Sequence, residues 1–284
     1  MDSNSILIVG ANGQLGKALA IKYPGARLVD VADLDITSRS AVDNFDLSGI
    51  KYILNVAAYT DVDGAESSDG KLKAWAVNAV AVSNLVRISL KNDIVLVHIS
   101  TDYVFDGARG NHLETETYSP LGVYGQTKAA GDIAVEVLPK HYIVRTSWVI
   151  GDGKNFIRTM LELGSKGIEP KVVSDQIGRL TFTAELVRAI DFLITSSAEY
   201  GTYNVSNGGQ PSSWAKITRE IFKLAQYQLE VFDITTKDYY SGKDGIAPRP
   251  LKSSLSLDKL AGLGFKFIDW KEDLSNYIKK ELSV

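Results

Sequence analysis

The sequence predicts a doubly wound α/β protein: a mostly parallel sheet covered by helices on both faces, followed by a smaller C-terminal α/β region. Three observations predict it. Short apolar runs rich in β-branched residues alternate with helical periodicity through the first 150 residues. Those runs are apolar throughout instead of alternating, which suits strands buried on both faces. A glycine-rich turn joins the first run to the first helical stretch.

The elements follow in order. Residues 6–9, Ile-Leu-Ile-Val, form the first strand and end at Gly10; after Gly13 the apolar residues Leu15, Ala18, Leu19 and Ala20 take up helical spacing. Further strands fit residues 27–31, 52–57, 94–100 and 142–146. Helices fit 40–46, 71–90 and 124–138, the second with Trp75, Val77, Val80, Val82, Leu85 and Leu90 on its apolar side. At Gly151-Asp152-Gly153 the texture changes, and a helix at 156–163, a loop at 164–170 and a strand at 171–173 follow. Helices at 183–195, 213–225 and 270–281 and a strand at 202–205 complete the chain. The expected division is one domain over 1–150 and a smaller second region over 151–284, of which the part near 180–200 packs back on the first domain. No repeat period or low-complexity linker separates the two, so they are expected to share an interface.

Composition narrows the function. The 284 residues carry 31 Lys+Arg against 34 Asp+Glu, a net charge of −3, and no run of like charges resembles a nucleic-acid arm or a membrane-surface patch. With 45% apolar residues the chain can build a sizeable core. It has no cysteine, which removes disulfides, thiolate metal sites, iron–sulfur clusters and cysteine nucleophiles together. No secretory h-region or membrane-spanning stretch is apparent, so a cytoplasmic protein is expected.

Chemistry concentrates at strand ends. Gly10-Ala11-Asn12-Gly13-Gln14-Leu15-Gly16 stands where the first strand hands over to a helix. Gly10 permits the sharp turn, Gly13 lets backbone N–H groups approach a pyrophosphate, Gly16 allows close helix–strand contact, and the helix N-terminus supplies positive potential, the Rossmann arrangement. Glycines so spaced also serve a plain turn beneath a tightly packed helix. Asp30 ends the second strand, where a carboxylate can accept from adenosine ribose hydroxyls; its position there sets it apart from Asp33 and Asp35, although any of the three suits a surface turn.

The most specific constellation is Ser100-Thr101-Asp102-Tyr103 at the end of the fourth strand with Tyr124 and Lys128 downstream. Tyr124 and Lys128 are i and i+4, so phenol and ammonium share one helix face. A free phenol titrates near 10, and an adjacent ammonium would favour phenolate and lower it. Strand-end hydroxyls would hold the reacting oxygen beside the phenol. A Tyr-x-x-x-Lys pair alone is an ordinary helix pair; the glycine turn and the hydroxyls at the same sheet edge give it meaning.

Further motifs extend along nearly the whole chain: Asp30 with Leu34-Asp35-Ile36-Thr37; Asn55 to Ala58 with Tyr59-Thr60-Asp61-Val62-Asp63 and Glu66; Asn78; Ser100 to Gly107, STDYVFDG; Ser119-Pro120-Leu121 before Val123-Tyr124-Gly125; Arg145-Thr146-Ser147-Trp148; Asp175-Gln176 with Gly178; residues 202–206; and Arg249-Pro250 before Ser253. Together they resemble the short-chain dehydrogenase/reductase superfamily and, in its extended branch, the dTDP-4-dehydrorhamnose reductase family. The resemblance implies hydride transfer from a reduced nicotinamide, NADH or NADPH, to the C4 ketone of a dTDP-linked 4-keto-6-deoxy sugar, giving dTDP-L-rhamnose for cell-surface polysaccharides. It implies Tyr124 as proton donor, Lys128 as the anchor of the nicotinamide ribose, and Thr101 as a hydrogen-bond partner of the ketone. Asp102, Tyr103 and Trp148 match substrate positions, although an aromatic after a buried strand is as readily core. Gly10, Gly13, Gln14, Leu15, Gly16, Asp30, Asp35, Ile36, Ala57, Ala58, Tyr59, Thr60 and Asn78 match cofactor positions, beside Tyr124 and Lys128.

The sequence departs from that pattern at four places. Gly122 stands where the family usually has Asn, Asp132 where it has Glu, and Leu180 where it has Pro, which leaves the 175–182 loop open to another shape. Ala18 replaces a Glu that helps some relatives bind an interface metal, so no metal is expected to be required, and a monomer or a homodimer not held by metal is expected. Other readings lose: Asp61-Val62-Asp63-Gly64 lacks the later carboxylates of a calcium loop, no G-x-S-x-G supports a hydrolase, and His98 reads as a satisfied core residue while His112 and His141 lack ligand-spaced partners. The alternatives in function are a reductase of another nucleotide 4-keto sugar and a non-catalytic dinucleotide-binding regulatory subunit, since the methionine adenosyltransferase β subunit resembles the same family. Retention of Thr101, Tyr124, Lys128 and Trp148 favours the enzyme.

Overall fold

The computed structural model describes residues 2–196 and 198–283. The strands β1 (Ile6–Val9), β2 (Arg27–Val29), β3 (Tyr52–Asn55), β4 (Val95–Thr101) and β5 (His141–Thr146) alternate with the helices α1 (Gln14–Lys22), α2 (Arg39–Asp43), α3 (Ser68–Trp75), α4 (Ala81–Asn92) and α5 (Val123–Glu136). Then follow β6 (Val149–Ile150), α6 (Phe156–Ser165), β7 (Lys171–Val173), β8 (Ile177–Gly178), β9 (Thr181–Phe182), α7 (Thr183–Thr195), β10 (Gly201–Asn204), β11 (Ser212–Ser213), α8 (Trp214–Leu224), β12 (Phe232–Ile234), α9 (Thr236–Tyr240), α10 (Asp258–Gly262) and α11 (Trp270–Leu282).

Six strands form the central sheet in the order β10-β5-β4-β3-β1-β2, and every neighbouring pair is parallel. The pleat explains why the strand runs are apolar throughout. Ile6, Ile8, Leu54, Val97 and Val144 point to the face covered by Leu15 and Leu19 of α1 and by Leu186 and Ile190 of α7. Leu7, Val9, Ile53, Leu96 and Ile143 point to the other, under Val82 and Leu85 of α4. Residues of one strand thus serve two cores, and each buried side chain stabilises the fold by about 1.5–3 kcal/mol. The chain order reverses at β1, so the crevice between the carboxyl ends of β1 and β3 is the topological switch point, where such sheets bind ligands.

One element departs from the sequence pattern. The expected 71–90 helix is broken by a π-helical turn, Ala76–Val80, between α3 and α4, where Asn78 is drawn out to hydrogen-bond Tyr59. Past residue 150 the chain returns to the sheet: α7 packs on α1 and β10 pairs with β5. The remaining C-terminal elements build a separate core, in which Ile157 and Leu161 of α6, Ile217 and Ile221 of α8, and Trp270 and Leu274 of α11 pack together. The 175–182 loop is held by two-residue ladders, β8 with β11 and β9 with β6, around the fully buried Leu180. Among the described residues no helix is long and apolar enough to cross a membrane.

Candidate active site

The glycine turn closes the switch point. Gly10 has φ +85°, and a Cβ there would stand 2.7 Å from the Ala57 backbone; a Cβ on Gly16 would stand 2.4 Å from the Gly10 carbonyl oxygen. Both positions therefore need glycine, one for conformation and contact, the other for contact alone. Gly13 caps α1, and a Cβ there would meet only the Gly10 oxygen at 3.4 Å, so the helix N-terminus stays open. Gln14 opens α1 with its Oε1 buried and unpartnered, while Leu15 is core beneath it.

A cleft of about 270 Å³ lies in front of this turn, lined by Gly10, Gly13, Asp30, Asp35, Ile36, Ala57 and Ala58 among others. Asp30 is held in place, its Oδ2 accepting from Asn12 N (3.0 Å) and its Oδ1 from Val31 N (2.8 Å), and its own N–H donates to Asp33 Oδ2 (2.9 Å). Asp35 is exposed, and the hydroxyl and N–H of Thr37, both donating to Oδ1, hold its carboxyl below the usual range. Tyr59 is half-buried and Thr60 exposed, and neither lines the cleft. A glycine turn, an open helix N-terminus and a fixed carboxylate at the ribose position fit a dinucleotide.

Asn78, matched to a cofactor position, is used up elsewhere. Its Oδ1 accepts from Tyr59 N (2.9 Å), and its Nδ2 donates to Tyr59 O (3.1 Å) and to Thr127 Oγ1 (3.1 Å). With 1% of its surface exposed it braces the Tyr59 loop against the helix that carries Tyr124.

Thr101, at the end of β4, and Tyr124, in the first turn of α5, converge. The Tyr103 and Tyr124 rings meet edge to face at 5.5 Å. Thr101 donates to Asp102 Oδ1 (2.9 Å) and accepts from Tyr103 N (3.2 Å). Burial raises the Tyr124 phenol well above its ordinary value, the Asp102 charge adds to this, and the Thr101 hydroxyl opposes it. Burial also pushes Asp102 up to about 6, against hydrogen bonds from Ser253 and Thr101. Asp102 is 2% exposed, so its place is behind Thr101.

Lys128 corrects one expectation. No hydrogen bond joins its ammonium to the phenol; Nζ donates to Ile99 O (2.6 Å) and lies 3.4 Å from His98 Nε2. Burial lowers Lys128 to about 8, with Asp132 opposing. His98, read from sequence as a satisfied core residue, thus stands against the lysine. Gly122 is also explained: it leaves the N-terminus of α5 without a side-chain cap of its own, and Glu66 Oε1 accepts from Val123 N at 2.8 Å in its place.

Trp148 has φ +47° and stacks on Trp214 at 3.7 Å, half-buried. Arg249, for which the sequence suggests no role, donates to Asp63 Oδ1 (2.8 Å) and lies over the Tyr240 ring at 5.6 Å, tying the loop after β3 to the C-terminal lobe. A charged residue before proline carries no signal of such a bridge.

Fold and site define a dinucleotide-binding α/β protein with the Thr, Tyr and Lys set of the extended short-chain dehydrogenases/reductases. Residues 4–283 match the family described as RmlD substrate binding domain, and the chain belongs to that family. It is 36% identical over 296 residues to the dTDP-4-dehydrorhamnose reductase of Aggregatibacter actinomycetemcomitans, covering 95% of this chain and 97% of that one. Among solved structures it is similar to a dTDP-4-dehydrorhamnose reductase of Clostridium acetobutylicum (38% identity, TM-score 0.90, 98% and 99% of the two chains). It is also similar to the Bacillus anthracis dTDP-4-dehydrorhamnose reductase in complex with NADP (37%, TM-score 0.88, 97% of each chain).

Proposed function

We propose that this chain is a nicotinamide-dependent reductase that converts the C4 ketone of dTDP-4-dehydrorhamnose to the alcohol of dTDP-L-rhamnose. The observation that carries the reading is the convergence of Thr101 and Tyr124 in a fold that also carries a cleft lined by the glycine turn and Asp30, in a chain whose relatives over nearly its full length are named for that reaction. The dinucleotide supplies the hydride when bound. Gly10, Gly13 and the start of α1 hold its pyrophosphate, Asp30 its adenosine ribose, and Lys128 its nicotinamide ribose. Tyr124, kept protonated by burial, gives its proton to the ketone oxygen as that oxygen gains charge, and the Thr101 hydroxyl orients the same oxygen. Tyr103 and the Trp148–Trp214 stack wall the sugar side, with Asp102 behind.

Residues 1–150 serve the dinucleotide and most of 151–284 the sugar nucleotide, while α7 and β10 complete the sheet. NADH is used at least as well as NADPH. Asp30 puts a fixed carboxylate at the ribose site, where a 2′-phosphate would be repelled. The nearby Arg39 is exposed and faces Asp43 at 3.8 Å. No metal takes part, and the chain works as a monomer or as a dimer not held by metal. The test is oxidation of NADH and NADPH against a panel of nucleotide 4-keto sugars. Turnover with the dTDP-linked sugar supports the reading; dinucleotide binding without turnover on any sugar would replace it with a regulatory role.

A further inference from the structure

Behind Lys128 lies a sealed set of polar groups that the reaction above does not use. His98 on β4 and Asp132 on α5 are fully buried, and Asn55 on β3 and Arg145 on β5 are 1% exposed. His98 Nδ1 is 3.0 Å from Asn55 Nδ2, and His98 Nε2 is 3.4 Å from Lys128 Nζ and 3.7 Å from Asp132 Oδ1. Asp132 Oδ2 accepts from Ser100 Oγ (2.8 Å) and from Arg145 Nε (3.3 Å), and its Oδ1 has no partner.

We propose that His98 is a positioning residue for Lys128, accepting a hydrogen bond from the ammonium through Nε2.

Hydrogen-bond accounting leads there. An ammonium has three protons and no acceptor capacity. Ile99 O takes one at 2.6 Å, and the next nearest polar atom is His98 Nε2. If Nε2 carried a proton, two donors would face each other in a sealed pocket. Amide oxygen and nitrogen are interchangeable by a half-turn. Turning Asn55 brings Oδ1, otherwise unpartnered, onto Nδ1–H and leaves Nε2 free to accept. Charge favours the same tautomer. Burial raises the Asp132 carboxyl, and Arg145 and Lys128 oppose that rise, so an imidazolium would place a third cation beside a single buried carboxyl. Burial and the Lys128 charge keep His98 neutral. The other titratable groups around the lysine are Tyr124 on its own helix, Asp102 beyond the phenol, and Tyr118, which accepts from Arg145 Nη2 at 2.8 Å. With two protons fixed on β4, the third is left for the ribose.

This inference rests on Lys128 binding the nicotinamide ribose, so the test reads both dinucleotide affinity and turnover against pH. In His98→Leu the ammonium loses an acceptor and becomes easier to deprotonate. The basic limb of NADH affinity, set near pH 8 by Lys128, moves down by about one pH unit, and kcat/KM follows it. His98→Gln carries an amide oxygen to the place of Nε2 and restores the limb. Should the leucine variant not fold, His98→Asn, whose amide reaches only the place of Nδ1, takes its role and shifts like it. A limb that stays put in His98→Leu or His98→Asn, or one that moves equally in His98→Gln, overturns the proposal, because a merely structural histidine changes melting temperature and not this limb. Absence of wild-type turnover with the affinity limb moving as stated would count against the proposed reaction alone.

Discussion

Asp102 offers the sharpest quantitative test, because it is a buried acid whose burial outweighs its hydrogen bonds. Its carboxyl titrates at about 6 in the folded chain and near 3.9 in an unfolded one. Between those values the native protein holds a proton that the unfolded chain has released, so stability falls as pH rises through that window. Two pH units at 1.36 kcal/mol each give a loss of about 3 kcal/mol, complete above about pH 6. Asp102→Asn has no such proton and escapes the loss. Its amide N–H groups add a cost or a gain of their own, but one that does not depend on pH. The stability of the variant relative to wild type should therefore rise by about 3 kcal/mol between about pH 3 and pH 7.5. Urea unfolding followed by tryptophan fluorescence at both pH values reads it directly. A difference that is flat with pH, or one that falls, would show that Thr101 and Ser253 stabilise the carboxylate enough to cancel its burial.

Three further outcomes follow from the site. Tyr124→Phe should lower kcat by at least about a hundredfold with NADH affinity unchanged, since only the donated proton is lost; full turnover by steady-state assay would remove Tyr124 from the chemistry. Asp30→Ala should shift the ratio of kcat/KM for NADPH over NADH upward by about tenfold, equivalent to about 1.4 kcal/mol; wild type preferring NADPH tenfold would point instead to Arg39. EDTA should leave the rate and any dimer unchanged, as Ala18 offers no carboxylate; a loss restored by magnesium, read by assay and light scattering, would refute this.

Much of the fold is legible because it rests on local signals. Ile6–Val9 is an unbroken apolar run and Thr183–Thr195 carries helical periodicity, and Gly10 and Gly16 mark a contact only glycine permits. What escapes is set by partners distant in sequence. The ladders of Val149–Ile150 with Thr181–Phe182 and of Ile177–Gly178 with Ser212–Ser213 are two residues long, too short for any pattern to announce. The π turn at Asn78 answers to Tyr59 and Thr127, and the bridge from Arg249 to Asp63 spans most of the chain. His98 escapes for a different reason: a histidine inside an apolar strand looks the same whether it meets a backbone carbonyl or a lysine ammonium.

The direction in which Tyr124 is shifted bears on what the site is built to do. Helical spacing puts Lys128 on the face of Tyr124 and suggests an ammonium that makes the phenol more acidic. In the folded chain the ammonium is turned to Ile99 and His98, while burial and the Asp102 charge make the phenol less acidic. For a proton donor this is the more useful arrangement. The phenol must be protonated when the ketone arrives, and an alkoxide is far more basic than any phenolate, so transfer runs downhill even from a weakly acidic tyrosine. The lysine is then free for a second task, holding the ribose with a proton whose direction β4 has already set. Its own ammonium, lowered to about 8 by burial, is the group most exposed to loss of charge on the basic side, and Asp132, which pairs with Arg145, opposes that loss.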